Sequence, residues 1–400
     1  MVTARRETLL RAFAATGFAV LIAAAATLIV RVDSIGYRLV LYAQIDQHGR
    51  PVAASTAPPA DPAGSGNAIC PPLSIAMAGA LTGPDAEAGT NIKNGAELAI
   101  EKHNTANAGC QVQIKEFETG GDPTRVDEFA PQIVADAYTV GLIGPTFSGI
   151  AEATGAFFED NGLPAATASA SRSTLSEQGW TTFFRAVAGD EAQGRAVANF
   201  VKDTLGHRRV CVVSDNSPYG NATAQAATDV LGERAPTECR RSIPVSDSRL
   251  AEVIDRIRDV APDVVLRMGA CANAAAFVQR LRDEGITSSF VSAQGLVDEQ
   301  YPKRARDSAK DDVLSCPCSP DPDWFVAAYR AKFGRTPGAY SAEGYDLATI
   351  MLNGIDAGML VRPEMLGWMK HYDGQGVARR YQWTETGELT QPTVWIYKVQ

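Results

Sequence analysis

Three short segments carry groups able to hold a small polar ligand. The segment GPTFSG (144–149) closes an apolar run and opens a helical pattern. Free backbone N–H groups and the helix dipole there make a seat for a carboxylate, and Ser148 adds a hydroxyl. Serine is also a favoured N-cap residue, and the two readings are compatible. The segment SASRS (169–173) sets Ser169 and Ser171 at the same rim, where they either face a cleft or close a turn. In SDNSPYG (214–220), Tyr219 stands where its ring could cover a ligand or pack at the start of a helix.

The constellations of catalysis are missing. There is no GxSxG elbow, no GxxxxGK[ST] loop and no GxGxxG turn after a strand. Of the four histidines, His48 falls in a Pro/Ala/Gly-rich stretch and the other three on or near helices, away from candidate acids. The seven cysteines form no CxxC pair and no zinc-ligand spacing, and Cys316-Pro317-Cys318 is too tight for a tetrahedral metal. With neither a nucleophile–base pair nor a metal cluster, the chain reads as a non-enzyme without cofactor or metal. A formal net charge of -9 with no basic stripe argues against a nucleic-acid partner.

The elements that must position these segments follow from periodicity. Arg5, Arg6 and Arg11 precede an uncharged stretch from Ala12 to Val30, closed by Arg31. At about 1.5 Å per residue such a helix just spans a hydrocarbon core of roughly 30 Å, with the following chain outside. The Ala23–Ala26 run offers a signal-peptidase site, but the apolar run exceeds a usual signal core, which favours an uncleaved anchor. Residues 1–31 are therefore read as a cytoplasmic tip and transmembrane anchor, and residues 32–69 as a juxtamembrane segment and linker. Gln47 to Asn67 has linker composition and is expected to form a disordered stalk.

From Cys70 strands and helices alternate. Strands are expected at Leu73–Ala78, Gln111–Phe117, Thr139–Ile143 and Leu163–Thr167, then in a second series at Arg209–Ser214, Glu238–Ile243, Asp263–Met268, Ser289–Ala293 and Asp312–Cys316. Alternation of this kind implies parallel, doubly wound sheets, and one sheet holding every strand would be unusually wide, so two sheets are expected. Helices near Trp324–Phe333 and Ser341–Ala357 precede late strands at Val377–Trp383 and Thr393–Val399. Cys70 and Cys110 precede adjacent strands of the first series, and Cys211 and Cys239 begin adjacent strands of the second. Neighbouring strand starts lie within disulfide reach, so these two pairs are candidates. Cys271, Cys316 and Cys318 allow one more bridge.

Eight segments in order complete a pattern: AGALTGPDAEAG (78–89), NGAELAI (94–100), GDPTRV (121–126), LIGPTFSG (142–149), ATASASRSTLSEQGW (166–180), FFRAVAGDEAQG (183–194), SDNSPYG (214–220) and EGYDLA (343–348). Together they resemble the type I periplasmic solute-binding proteins, in particular the leucine/isoleucine/valine-binding branch, from about Cys70 to the C-terminus. The resemblance implies an α/β fold of two Rossmann-like lobes joined by three hinge crossovers. Lobe one would comprise 70–187 and 318–390, and lobe two 188–317 and 391–400. It also implies that Ser148, Ser169 and Ser171 hold a ligand carboxylate, with Asp190 just past the first hinge and Tyr219 as the aromatic of lobe two. Departures are Gln294, where the family has a glutamate for the ligand ammonium, Ala270 for a second aromatic, and Ala88 for an aromatic of the first loop. An amide supplies no ion pair, which points to an organic acid, an amide or another small polar metabolite rather than a branched-chain amino acid.

The expected function is the extracytoplasmic binding component of an ABC importer, held at the cell membrane by its own helix, with a membrane permease as partner. Its rivals are a sensing ectodomain signalling through a separate membrane protein, and an amide- or ester-processing enzyme, which would need a nucleophile and base in the cleft.

Overall fold

The computed structural model describes residues 29–30, 39–243, 250–269, 274–293 and 300–400. The expected anchor lies outside these residues except at its end. There, strand β1 (Ile29–Val30) pairs antiparallel with Leu39 and Val40, so the last two residues of the apolar stretch are strand and not helix. Among the described residues no helix is long and apolar enough to cross a membrane.

The segment read as juxtamembrane supplies a full strand, β2 (Leu39–Asp46), with Leu39 and Ile45 buried. The stretch after it is not a stalk in this structure. It turns at Gly49, and Val52 donates to Gln44 O. It then follows the surface of the first lobe until β3 (Leu73–Gly79) begins.

From β3 the chain alternates as its apolar runs require. In order come α1 (Ala86–Ala106), β4 (Val112–Glu118), α2 (Val126–Ala135), β5 (Thr139–Ile143), α3 (Ser148–Asp160), β6 (Ala165–Thr167) and β7 (Phe183–Arg185). They form a five-stranded parallel sheet in the order β4-β3-β5-β6-β7. Strands β3 and β5 are buried along their whole length, as unbroken apolar runs covered on both faces should be.

The second series is α4 (Asp190–Asn199), β8 (Val210–Ser214), α5 (Pro218–Leu231), β9 (Arg240–Ser242), α6 (Leu250–Val260), β10 (Val264–Met268), α7 (Ala274–Asp283), β11 (Ser289–Ala293), α8 (Gln300–Ala305) and β12 (Val313–Cys316). The chain then returns to lobe one with α9 (Asp323–Phe333), α10 (Ser341–Asp356), α11 (Arg362–His371) and the hairpin β13 (Asp373–Gln375) and β14 (Arg380–Gln382). It ends in lobe two with β15 (Thr393–Val399). The lobe-two sheet has eight strands, in the order β1-β2-β15-β12-β11-β10-β8-β9. Its parallel half is the second series, and β15 and β2 extend it antiparallel.

Helices α1 and α10 lie unusually close. A Cβ on Gly95 would overlap Ser341 O, and one on Gly344 would overlap Ile92 O, so both positions need glycine for the approach. Disulfides join Cys70 to Cys110 and Cys211 to Cys239, each at the starts of neighbouring strands, and a third joins Cys316 to Cys318. Cys271 lies outside the described residues.

The crossover after β12 is pinned by a buried ion pair. Arg379 donates to Glu343 at 2.7 Å and to Pro317 O at 2.6 Å, with its guanidinium 4.6 Å from the Trp395 ring centre. Residues at two of the lobe-to-lobe passages, Pro317 and the β15 tryptophan, thus meet one arginine of lobe one.

Candidate functional site

The carboxyl ends of β5, β6 and β7 present the loops 144–147, 168–172 and 186–189, and hydrogen bonds tie these loops to one another. Gly144 has φ of +119°, and a Cβ there would overlap Ala78 O, so only glycine carries the chain off β5 at this angle. Thr167 Oγ1 donates to Pro145 O at 2.8 Å, and Ser169 Oγ donates to Thr146 O at 2.7 Å. Ser148 is the first residue of α3, and Phe147 holds the N-cap position, so the capping reading of Ser148 is corrected. Its Oγ instead accepts from Arg172 N–H at 3.2 Å.

The same run continues into lobe two. Asp190 N–H donates to Ser171 O at 2.8 Å, and the Ser171 hydroxyl bonds the Asp190 side chain. Asp190 opens α4 and is 3% exposed. Burial pushes its carboxyl up to about 6, against the opposing pull of the Ser171 hydroxyl and the Arg185 and Arg172 guanidinia. One turn on, Gln193 Oε1 accepts from Tyr219 Oη at 2.7 Å. Tyr219 sits in the first turn of α5, whose N-cap Ser217 accepts from Gly220 N–H.

Four of the expected residues, Ser148, Ser169, Ser171 and Asp190, therefore share one hydrogen-bonded set of loops. Tyr219 joins them through Gln193. Gln294 and Ala270 lie outside the described residues, and Ala88 is a half-buried residue of α1.

Proton accounting separates the three serines. Ser169 and Ser171 direct their hydroxyl protons to Thr146 O and Asp190, leaving oxygen lone pairs to receive a donor. Ser148 receives Arg172 N–H and keeps its own proton for an acceptor.

Two participants escaped the sequence reading. Arg185 is fully buried at the end of β7, with its guanidinium 2.7 Å from Glu388 and Asp190 nearby. Gln193 gives Tyr219 its partner. An arginine inside an apolar strand followed by Asp190 was the available signal for the first. The second depends on how two helices pack, which no local pattern reports.

His103 also departs from expectation. It is buried in α1 and its Nε2 lies 2.8 Å from Asp356 Oδ1 of α10, so it does have an acid partner. Cys110 is close to both, but its sulfur is bonded to Cys70 and has no thiolate to offer a metal. This group joins two helices and is remote from the loops above.

The family model described as periplasmic binding protein matches residues 72–400. The chain belongs to the periplasmic binding protein family. It is of type I, in the branched-chain amino acid branch. That family consists of substrate-binding proteins and not of enzymes. Among its relatives, the Leu/Ile/Val-binding protein BraC3 of Rhizobium johnstonii is 25% identical over 336 residues, covering 82% of this chain and 91% of its own. Among solved structures, the substrate-binding protein LivJ of Streptococcus pneumoniae, in complex with isoleucine, superposes with a TM-score of 0.70 at 20% identity, covering 81% of this chain and 95% of its own. A solute-binding protein of R. palustris in complex with benzoate superposes with a TM-score of 0.67 at 16% identity, covering 81% and 92%. These two likenesses carry the two-lobe α/β fold.

Proposed function

We propose that this periplasmic binding protein captures a small amino acid, or an amide of one, outside the cytoplasm and delivers it to an ABC permease by closing its two lobes. The observation that carries the ligand class is the division of labour among the serines. The Ser148 hydroxyl at the start of α3 suits an acceptor such as a carboxylate, while Ser169, Ser171 and the buried Asp190 carboxylate suit an ammonium. Recognition of the amine would then not rest on residue 294 alone, which restores amino acids to the candidates that Gln294 had argued against. Relatives named for leucine, isoleucine and valine support the amino-acid class. The benzoate-bound neighbour supplies the contrasting ligand, with a carboxylate and no amine.

Closure would bring Tyr219 over a ligand seated on the lobe-one loops, and the ligand's higher affinity for the closed form would shift the population. We read the apolar stretch from Ala12 as the tether to the membrane, on the strength of Arg5, Arg6 and Arg11 ahead of it.

Thermal-shift measurements with leucine, valine, their amides and benzoate test the ligand class. Stabilisation by the amino acids or amides well above that by benzoate is expected. Stabilisation by benzoate alone would overturn the role given to Asp190.

A further inference from the structure

The stretch between β2 and β3 is bound at one end to lobe two and at the other to lobe one. On lobe two, Pro51 bridges to Ile45, Val52 N–H donates to Gln44 O at 2.8 Å, and Gln47 O accepts from Asn199 at 3.4 Å. On lobe one, Ala60 N–H donates to Gln375 O at 2.7 Å and Asp61 pairs with Lys102 at 3.0 Å. Asn107 donates to Ala63 O at 3.0 Å and accepts from Ala68 N–H at 2.9 Å. The Cys70–Cys110 disulfide then fixes the exit into β3 covalently. Between the two sets of contacts, Ala53 to Pro59 are exposed, and among the described residues their one hydrogen bond is local, from Ala57 N–H to Ser55 Oγ.

We propose that residues 53–59 are a strap, a fourth connection between the lobes, which limits how far they rotate apart. The limit is one of length. Eight Cα steps separate Val52 from Ala60, and a fully extended chain covers at most about 3.6 Å per residue, so these two points can be no more than roughly 29 Å apart. Pro58 and Pro59 stiffen the end of the span nearest lobe one. The three crossovers inside the matched region lie between β7 and α4, between β12 and α9, and between β14 and β15. The strap lies outside that region, which begins at residue 72. It therefore lies outside the part of the chain that carries the lobe-closing fold.

Its consequence is a ligand-free protein confined to a narrow set of lobe orientations. Fewer conformations would then be removed on capture, which raises the apparent affinity of the closing protein. The inference rests on lobe movement being the working motion, as in the function proposed above, but it is read without any ligand.

The test uses the full chain carrying spin labels on unnatural side chains at exposed Glu87 of lobe one and exposed Gln225 of lobe two. Distances are measured by pulsed paramagnetic resonance without ligand, before and after ten Gly/Ser residues are inserted between Ala57 and Pro58. A distribution at least one and a half times broader is expected from the lengthened strap. An unchanged distribution overturns the proposal. Cutting the folded strap, kept at its natural length, at a protease site engineered over residues 54–57 is a second route that needs no refolding of a lengthened chain, and it must give the same broadening. Failure of amino acids to bind would leave this result standing, whereas a rigid pair of lobes in both experiments would sink the strap alone.

Discussion

Replacing Ser148 by alanine removes one hydroxyl that, among the described residues, donates to no protein group and accepts one N–H, from Arg172. A hydrogen bond to a charged ligand oxygen contributes about 1.5–3 kcal/mol, so Ser148→Ala is expected to weaken binding roughly 10- to 150-fold while the melting temperature hardly moves. Isothermal calorimetry beside a melting curve separates the two, and unchanged affinity would remove Ser148 from the site. Arg379 behaves in the opposite way. Arg379→Met strips the partner from Glu343, which is buried and also receives Ser319 N–H. Leaving that carboxylate unpaired is expected to cost about 3–5 kcal/mol in a urea titration, and adding Glu343→Gln should restore much of it. If the double variant is no better than the single one, the loss belongs to the Trp395 contact and not to charge. The serine was readable because it follows a strand in a loop of small residues. The arginine was not, since its partners Glu343, Pro317 and Trp395 come from three separate elements.

At the scale of elements, β2 shows what local pattern reports and what it leaves out. The apolar runs of β3, β5, β8, β10, β11 and β12 announce themselves, because a buried parallel strand needs nothing beyond its own residues to be apolar. The run LVLYAQID has strand character too, but its partner β15 lies some 350 residues further along, and the stretch after it has the composition of a linker. That stretch is held by polar groups of both lobes, Gln44 on lobe two and Gln375, Lys102 and Asn107 on lobe one, rather than by apolar content of its own, so composition pointed the wrong way. A fragment beginning at Cys70, the boundary that composition suggests, would strip β2 from β15 along seven paired positions and bare an apolar sheet edge. It would also lose the burial of Leu39 and Ile45, each about 1.5–3 kcal/mol. A fragment beginning at Leu39 is expected to stay monomeric in size-exclusion chromatography, while one beginning at Cys70 elutes as aggregate or melts at least 5 °C lower. Equal behaviour of the two would mean that β15 tolerates an open edge.

For the whole molecule, buried acids set how stability answers pH. Burial raises Asp190 to about 6, and Asp312 and Asp346 to about 7, from an ordinary value near 3.9 in the unfolded chain. A raised pKa means that the folded protein keeps protons the unfolded chain has released. The stabilisation from these three is therefore complete below about pH 4 and is lost as pH rises through 6 to 7. Asp136, Glu118 and Glu159 run the other way: Lys115, Gly120 and Thr182 bond their carboxylates and hold them low despite partial burial, so their stabilisation is present above about pH 4 and fails only in stronger acid. His207 opposes the first group, since desolvation lowers its pKa and favours the fold as pH rises through the ordinary histidine range. Between these windows the urea midpoint should pass through a maximum near pH 4–5 and decline towards pH 8. Asp312→Asn keeps an acceptor for the Tyr301 hydroxyl and removes the titration. The variant should show a shallower decline from pH 5 to 8 than the parent, with the binding loops untouched because residue 312 lies immediately ahead of β12, at the opposite end of that strand from the crossover. A decline of the same slope in both proteins would place the pH response elsewhere, with Asp190 and Asp346 the remaining sources.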